Sequence, residues 1–257
     1  MKQKLFTGKA LLLAALVATV VYSCSTGGEG KSSKAHKQDS IAIFSTNIEG
    51  SGSSLLVEMI KGKAHNHPTF VIWIEDVDGK YLQTLFITRA IGQGVFNYGD
   101  KSGGKWRPGE VRRPAALPYW AHKRGIIAED GSLIPTPRNK VPDAYSGATP
   151  AGSFRLSSKT DQPLKGTIKM LIEINQTWDW NEYWTNNLYP EDFNYKTSCQ
   201  PAIVYSALID LDKPGVSTEL KPAGHSHYSG KTGELYTDLS SITTALHIAE
   251  QIMVTVK

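Results

Sequence analysis

From residue 41 onward the chain is a succession of short runs rich in Ile, Val, Phe and Thr, each closed by Gly, Asn or Asp. The runs are SIAIFSTNIEG, SGSSLLVEMIKG, TFVIWIEDVDG, KYLQTLFITRAIG, GSFRLSS, GTIKMLIEINQTW, QPAIVYSALIDL and AEQIMVTVK. Period-two runs of this composition with turn residues between them read as β-strands. Asp78-Gly79 between two of them marks a tight hairpin, because Gly takes the positive φ that such a turn needs. Helical periodicity is nearly absent. The best helical stretch is DLSSITTALHIAEQ, and it is short and rich in β-branched residues. A chain of about eight strands must stack or close its sheets to bury one face of each. The expected fold is all-β, an immunoglobulin-like sandwich over residues 41–257.

Two stretches break the alternation. One spans about residues 97–148 and includes NYGDKSGGKWRPGEVRRPAALPYWAHKRG; the other is DWNEYWTNNLYPEDFNY. A long irregular segment in a compact domain points to function or to a cover over the core. In the first, Arg107, Arg112 and Arg113 stand among Trp106, Tyr119 and Trp120. Guanidinium groups grip carboxylate or phosphate and stack on rings, so this segment is a candidate ligand loop. It reads equally as a cap over one end of the sandwich, with Trp buried and Arg paired to Glu110.

The first 23 residues have a basic start, MKQK, followed by the apolar run ALLLAALVATVVY, the pattern of a secretory signal. The run ends in VVYSC. Ser23 before Cys24 resembles a bacterial lipobox, which implies cleavage before Cys24 and lipid attachment to it. Residues 24–40, rich in Gly, Ser and charge, then read as a flexible tether. The resemblance implies a lipid-anchored protein of the cell envelope, on the periplasmic face or at the outer membrane. Three of the 28 basic residues, Lys2, Lys4 and Lys9, lie in the leader and none of the 24 acids does. The remaining 25 basic residues nearly balance the acids, which argues against a surface for nucleic acid.

With Cys24 taken by lipid, Cys199 is the single remaining cysteine and reads as a buried apolar one. Two His-x-His pairs occur, His65/His67 and His225/His227. On a strand, i and i+2 share a face, so His225 and His227 are candidate metal ligands. EDVDG at 75–79 superficially suggests a cation loop, but strands flank it at once and it reads as a hairpin turn. No nucleophile with a base and no motif of paired carboxylates emerges, which favours a binding or accessory protein over an enzyme.

FVIWIEDVDGKYLQTL, the Trp/Arg-rich loop and DAYSGATPAGSFRL together resemble the predicted periplasmic family called domain of unknown function 2271. The resemblance covers roughly residues 55–257 and implies an envelope location and a β-sandwich, with no activity attached. DAYSGAT also resembles the attachment motif of extracytoplasmic flavoproteins. In those, a flavin transferase esterifies the final Thr with the phosphate of FMN. That resemblance implies Thr149 as the attachment residue and Asp143, Ser146, Gly147 and Ala148 as recognition residues. The alternative is an ordinary turn opening the strand GSFRL.

Overall fold

The computed structural model describes residues 41–142 and 145–257. The leader, Cys24, the tether and Asp143 lie outside the described residues. Two sheets are packed face to face. The first has five strands: β1 (Ala42–Thr46), β2 (Ser54–Lys61), β8 (Phe154–Lys159), β11 (Ser217–Glu219) and β13 (Ala249–Val256), in the order β1-β8-β2-β13-β11. The second has six: β3 (Thr69–Glu75), β4 (Tyr81–Thr88), β7 (Ser146–Gly147), β9 (Thr167–Asn175), β10 (Ile203–Asp210) and β12 (Lys221–His225), in the order β12-β10-β9-β3-β4-β7. A separate hairpin joins β5 (Val95–Asp100) to β6 (Arg107–Glu110). Most pairings are antiparallel, but β1 runs parallel to β8 and β7 parallel to β4. The all-β sandwich expected from the alternation is the observed architecture.

Alternation decides which side chains meet between the sheets. Phe70, Ile72 and Ile74 of β3 and Ile168, Met170, Ile172 and Ile174 of β9 face inward. They pack on Leu55, Val57 and Met59 of β2, Phe154 and Leu156 of β8, and Ile252 and Val254 of β13. Phe44, Phe70, Phe86 and Phe154 form a chain of tilted and edge-to-face ring contacts across this layer. The hairpin at 75–79 is present: Gly79 has φ +82°, and the Asp76 carboxylate accepts from the amides of Asp78 at 3.0 Å and Lys80 at 2.9 Å. The acidic run thus satisfies its own turn.

The second sheet is buried on its other face as well. Val71 and Trp73 of β3, Ile87 of β4, Leu171 of β9 and Val204 of β10 form a second core with Leu117, Tyr119, Trp120, Ile134 and Val141. The expected irregular insertion therefore lies over a broad sheet face, not over one end of the sandwich. Its centre is α2 (Pro118–Arg124), which follows the shorter α1 (Arg89–Gln93). Pro118 opens α2, where a missing N–H costs nothing. Gly125 closes it with φ +67°. The residue before the helix, Leu117, has no side chain that can cap. Glu173 of β9 supplies the acceptors instead: its two carboxylate oxygens take the amides of Tyr119 at 3.1 Å and Trp120 at 2.8 Å. Glu75 of β3, also fully buried, accepts from the Trp73 indole at 2.9 Å and lies 3.7 Å from the Lys123 ammonium.

DLSSITTALHIAEQ, the best helical candidate, forms no α-helix. Thr244–His247 form one 3₁₀ turn, and Ala249 onward belongs to β13. Thr and Ile favour strand over helix there, and β2 offers β13 a long antiparallel partner.

Candidate functional site

The stretch 146–149 does not form the simple turn that its composition allowed. Ser146 and Gly147 add a two-residue edge strand to the second sheet, with Ser146 opposite Ile87 and Gly147 opposite Thr88. The chain then crosses to the first sheet and enters β8. The motif thus lies where the two sheets meet, with Ser146 buried, Ala148 exposed and Thr149 half-buried. The Thr149 hydroxyl donates to the Thr88 hydroxyl at 3.3 Å. Thr88 Oγ1 in turn accepts the Phe70 amide at 3.0 Å, which ties the motif to the centre of the sheet. Tyr145 donates to Asp161 at 2.6 Å and fixes the approach from the other side.

Two clefts flank this segment. One, of about 500 Å³, runs along α1 and the start of β5, between Arg89, Phe96, Tyr98 and Thr149. The other, of about 490 Å³, runs along β1 and the Pro150 side of the motif. Arg89 and Gly147–Thr149 line both. Tyr98 is 75% exposed on the cleft wall. Arg89, Phe96 and Tyr98 were not singled out from the sequence. Arg89 directly follows the strand in ITRAIG, and Tyr98 lies in the irregular stretch; only β4 and β7 pairing reveals that they meet the motif.

Behind the motif stands His65, one member of the first His pair. Its ring stacks on Phe70 at 6.1 Å, and burial holds its pKa below the usual imidazole value against the pull of the Ile248 and Pro150 carbonyls. Neither ring nitrogen has a well-formed hydrogen bond among the described residues.

Gly147 does not occupy the left-handed region, so its need for Gly is steric. A Cβ there would lie 2.9 Å from the Phe86 ring. Phe86 is fully buried and cannot swing away freely. Gly147→Val is therefore expected to cost about 1–3 kcal/mol through overpacking. Thr149→Ala, which removes one partly exposed hydrogen bond, is expected to cost at most about 1 kcal/mol. Urea titration of both variants checks the order; equal midpoints would contradict the packing argument.

The other sequence-derived residues are dispersed. Trp120 is fully buried in the second core and donates to Thr84 at 2.9 Å. Arg112 bridges Glu110 and Asp130, each at 3.2 Å. Arg113 donates to Thr177 and to the Thr197 carbonyl, each at 2.9 Å, and its guanidinium faces the Phe96 ring at 5.9 Å. Trp106 and Arg107 are on the exposed β5–β6 hairpin, where Arg107 pairs with Asp100 at 3.1 Å. These five do not converge on one ligand. Trp120 with Arg112 and Arg113 holds the covering segment in place.

His225 and His227 are not free loop residues. His225 is buried, stacks on Tyr236 at 5.3 Å and points Nδ1 at the Ser226 carbonyl at 2.8 Å. His227 stacks on Tyr228 at 4.4 Å, and its Nδ1 accepts the Ser229 amide at 3.1 Å. Burial lowers the pKa of both rings. Among the described residues, no group of three or more His, Cys, Asp or Glu side chains is placed to hold a metal ion. Cys199 is buried and unpaired, and burial raises its thiol pKa. Among the described residues, no helix is long and apolar enough to cross a membrane. In comparison with known proteins, no family model, no curated protein and no solved structure matches the chain.

Proposed function

We propose that the chain is a lipid-anchored binding protein of the bacterial envelope whose ligand is FMN, joined through its phosphate to Thr149. The observation that carries this reading is the position of Thr149 between two clefts that share Arg89. Arg89 lines the same two clefts as Thr149, and a guanidinium suits a phosphodiester. Phe96 and Tyr98 offer ring faces for an isoalloxazine. Exposed Ala148 and small Gly147 leave room for a modifying enzyme at an edge strand. Among the described residues, the hydrogen-bond partner of the Thr149 hydroxyl is the neutral Thr88 hydroxyl.

Attachment requires an activated donor, a flavin dinucleotide. The Thr149 oxygen attacks the phosphorus next to the flavin, the new O–P bond forms, and the diphosphate P–O bond breaks. A nucleoside monophosphate leaves with the bonding electron pair, and the hydroxyl proton passes to the transferase. When bound, the flavin would supply electron transfer. In the chain, Arg89 would hold the phosphate, and Phe96 and Tyr98 would hold the ring. The envelope location rests on the leader and on Cys24; the resemblance to the periplasmic family adds to that support.

The test is the intact mass of the chain made in a bacterial host together with a flavin transferase. The expected mass includes one FMN residue and the lipid on Cys24. Thr149→Ala loses the flavin and keeps the lipid; Cys24→Ala loses the lipid and leaves the membrane fraction. A wild-type mass without flavin would overturn the FMN assignment.

A further inference from the structure

The excursion between β9 and β10 contains, from Gln176 to Tyr195, seven aromatic residues and no Lys or Arg. Its backbone is pinned. The Trp178 amide donates to the Thr197 carbonyl at 3.2 Å and the Asp179 amide to the Ser198 carbonyl at 3.0 Å. The Asn181 side chain donates to Ser241 and Thr243, each at 2.9 Å, and its oxygen takes the amides of Tyr183 and Trp184. Yet the rings on this fixed backbone point into water: Trp178 is 66% exposed, Trp180 59% and Tyr183 53%. Trp178 also has φ +56°, a left-handed conformation that a bulky residue avoids. Among the described residues these three rings stack on nothing. Backbone strain spent on displaying large rings to solvent gives the fold itself no packing, and such strain gathers at binding sites.

The charge of the excursion narrows the ligand. No basic residue stands between Gln176 and Tyr195, and Lys231 on the neighbouring cleft is paired with Asp192, so little free positive charge is offered to an anionic partner. Two of its four carboxylates are already engaged: Asp179 accepts from Thr244, and Asp192 accepts the Tyr195 amide and faces Lys231 at 3.5 Å. What remains is exposed aromatic faces beside side-chain amides, hydroxyls and few free charges. On the same excursion, Tyr189 stacks on Tyr228 at 4.1 Å along a cleft of about 530 Å³. A pyranose ring has a flat C–H face and a rim of hydroxyls. We propose that this surface binds a neutral saccharide, with C–H faces of sugar rings stacked on Trp178 and Trp180 and hydroxyls met by the neighbouring polar side chains. The site is separate from the Thr149 clefts and does not depend on flavin.

The experiment is calorimetric titration of the full-length chain with cellohexaose, chitohexaose, xylohexaose and maltohexaose, and with tetramethylammonium and trilysine as cationic probes. At least one saccharide is expected to bind with a dissociation constant of about a millimolar or tighter. Trp178→Ala and Trp180→Ala should each weaken that binding about tenfold or more. Trp180→Tyr should retain most of it, and Trp106→Ala, on the distant-in-sequence hairpin, should leave it unchanged. Circular dichroism shows whether each variant keeps the wild-type fold, and Trp180→Tyr keeps the test valid should an alanine variant fail. Binding of no saccharide in the panel overturns the proposal. So does saccharide binding that survives both alanine variants, or binding of the cations alone.

Discussion

Trp120→Ala is expected to destabilise the chain by about 3–5 kcal/mol. The indole is fully buried between α2 and the outer face of the second sheet. Its removal leaves a ring-sized cavity in the core that also holds Val71, Leu171 and Val204, and deprives Thr84 of its indole donor at 2.9 Å. Arg124, whose guanidinium faces the ring at 5.4 Å, loses that face as well. Trp106→Ala is the matched control: the same chemical change on a ring that is 56% exposed, expected to move stability by no more than about 0.5 kcal/mol. Urea unfolding of the two variants decides the point. If Trp120→Ala costs less than about 1 kcal/mol, the covering segment is not an integral layer of the fold.

The double burial of the second sheet explains what was legible in the sequence and what was not. The strands β2 and β8 alternate cleanly because one face is core and the other is more open, and their runs are found at sight. TFVIWIE and MLIEIN are different. They are nearly continuous apolar runs, the mark of a strand buried on both faces. Read as plain alternation, they hide the need for a second cover, and the Trp/Arg-rich stretch then appears as an end cap. The same oversight conceals Glu75 and Glu173. Each looks like an ordinary solvent-facing position of a half-buried strand, yet both are fully buried. Glu173 is needed because a helix beginning after Leu117 has no capping side chain of its own.

At the candidate site, the motif around Thr149 was legible, but its surroundings were not. Arg89 and Tyr98 lie about 50–60 residues earlier in the chain. A parallel edge pairing of two residues brings them together, and no local pattern announces such a pairing. The histidine pair was visible too, but aromatic stacking on Tyr236 and Tyr228 is a tertiary outcome that spacing alone does not encode.

The second large effect is a pH dependence carried by Glu173. Full burial raises its pKa from 4.5 to about 8, against the lowering by the Trp120 and Tyr119 amides and by Ser226. In the unfolded chain the carboxyl ionises near its ordinary value. Between these limits the folded state holds a proton that the unfolded state has released. Stability from this group is therefore fully present below about pH 4.5, declines as pH rises, and is lost above about pH 8. The slope is at most about 1.4 kcal/mol per pH unit. Tyr119, whose amide Glu173 accepts, has its phenol pushed up to about 12, by burial first, so it stays neutral throughout. The imidazoles of buried His225 and half-buried His65 and His227 act with opposite sign. Their folded pKa values lie below 6.5, so their contribution grows as pH rises toward that value. The comparison that isolates Glu173 is the difference in unfolding free energy between wild type and Glu173→Gln across pH 5–8. Gln keeps one acceptor for the helix amides and has no proton to lose. The wild-type advantage should shrink steadily with rising pH, while the histidine contribution cancels in the difference. A difference that is constant or that grows with pH would mean that Glu173 is ionised in the folded protein and that the two amides, not burial, set its state.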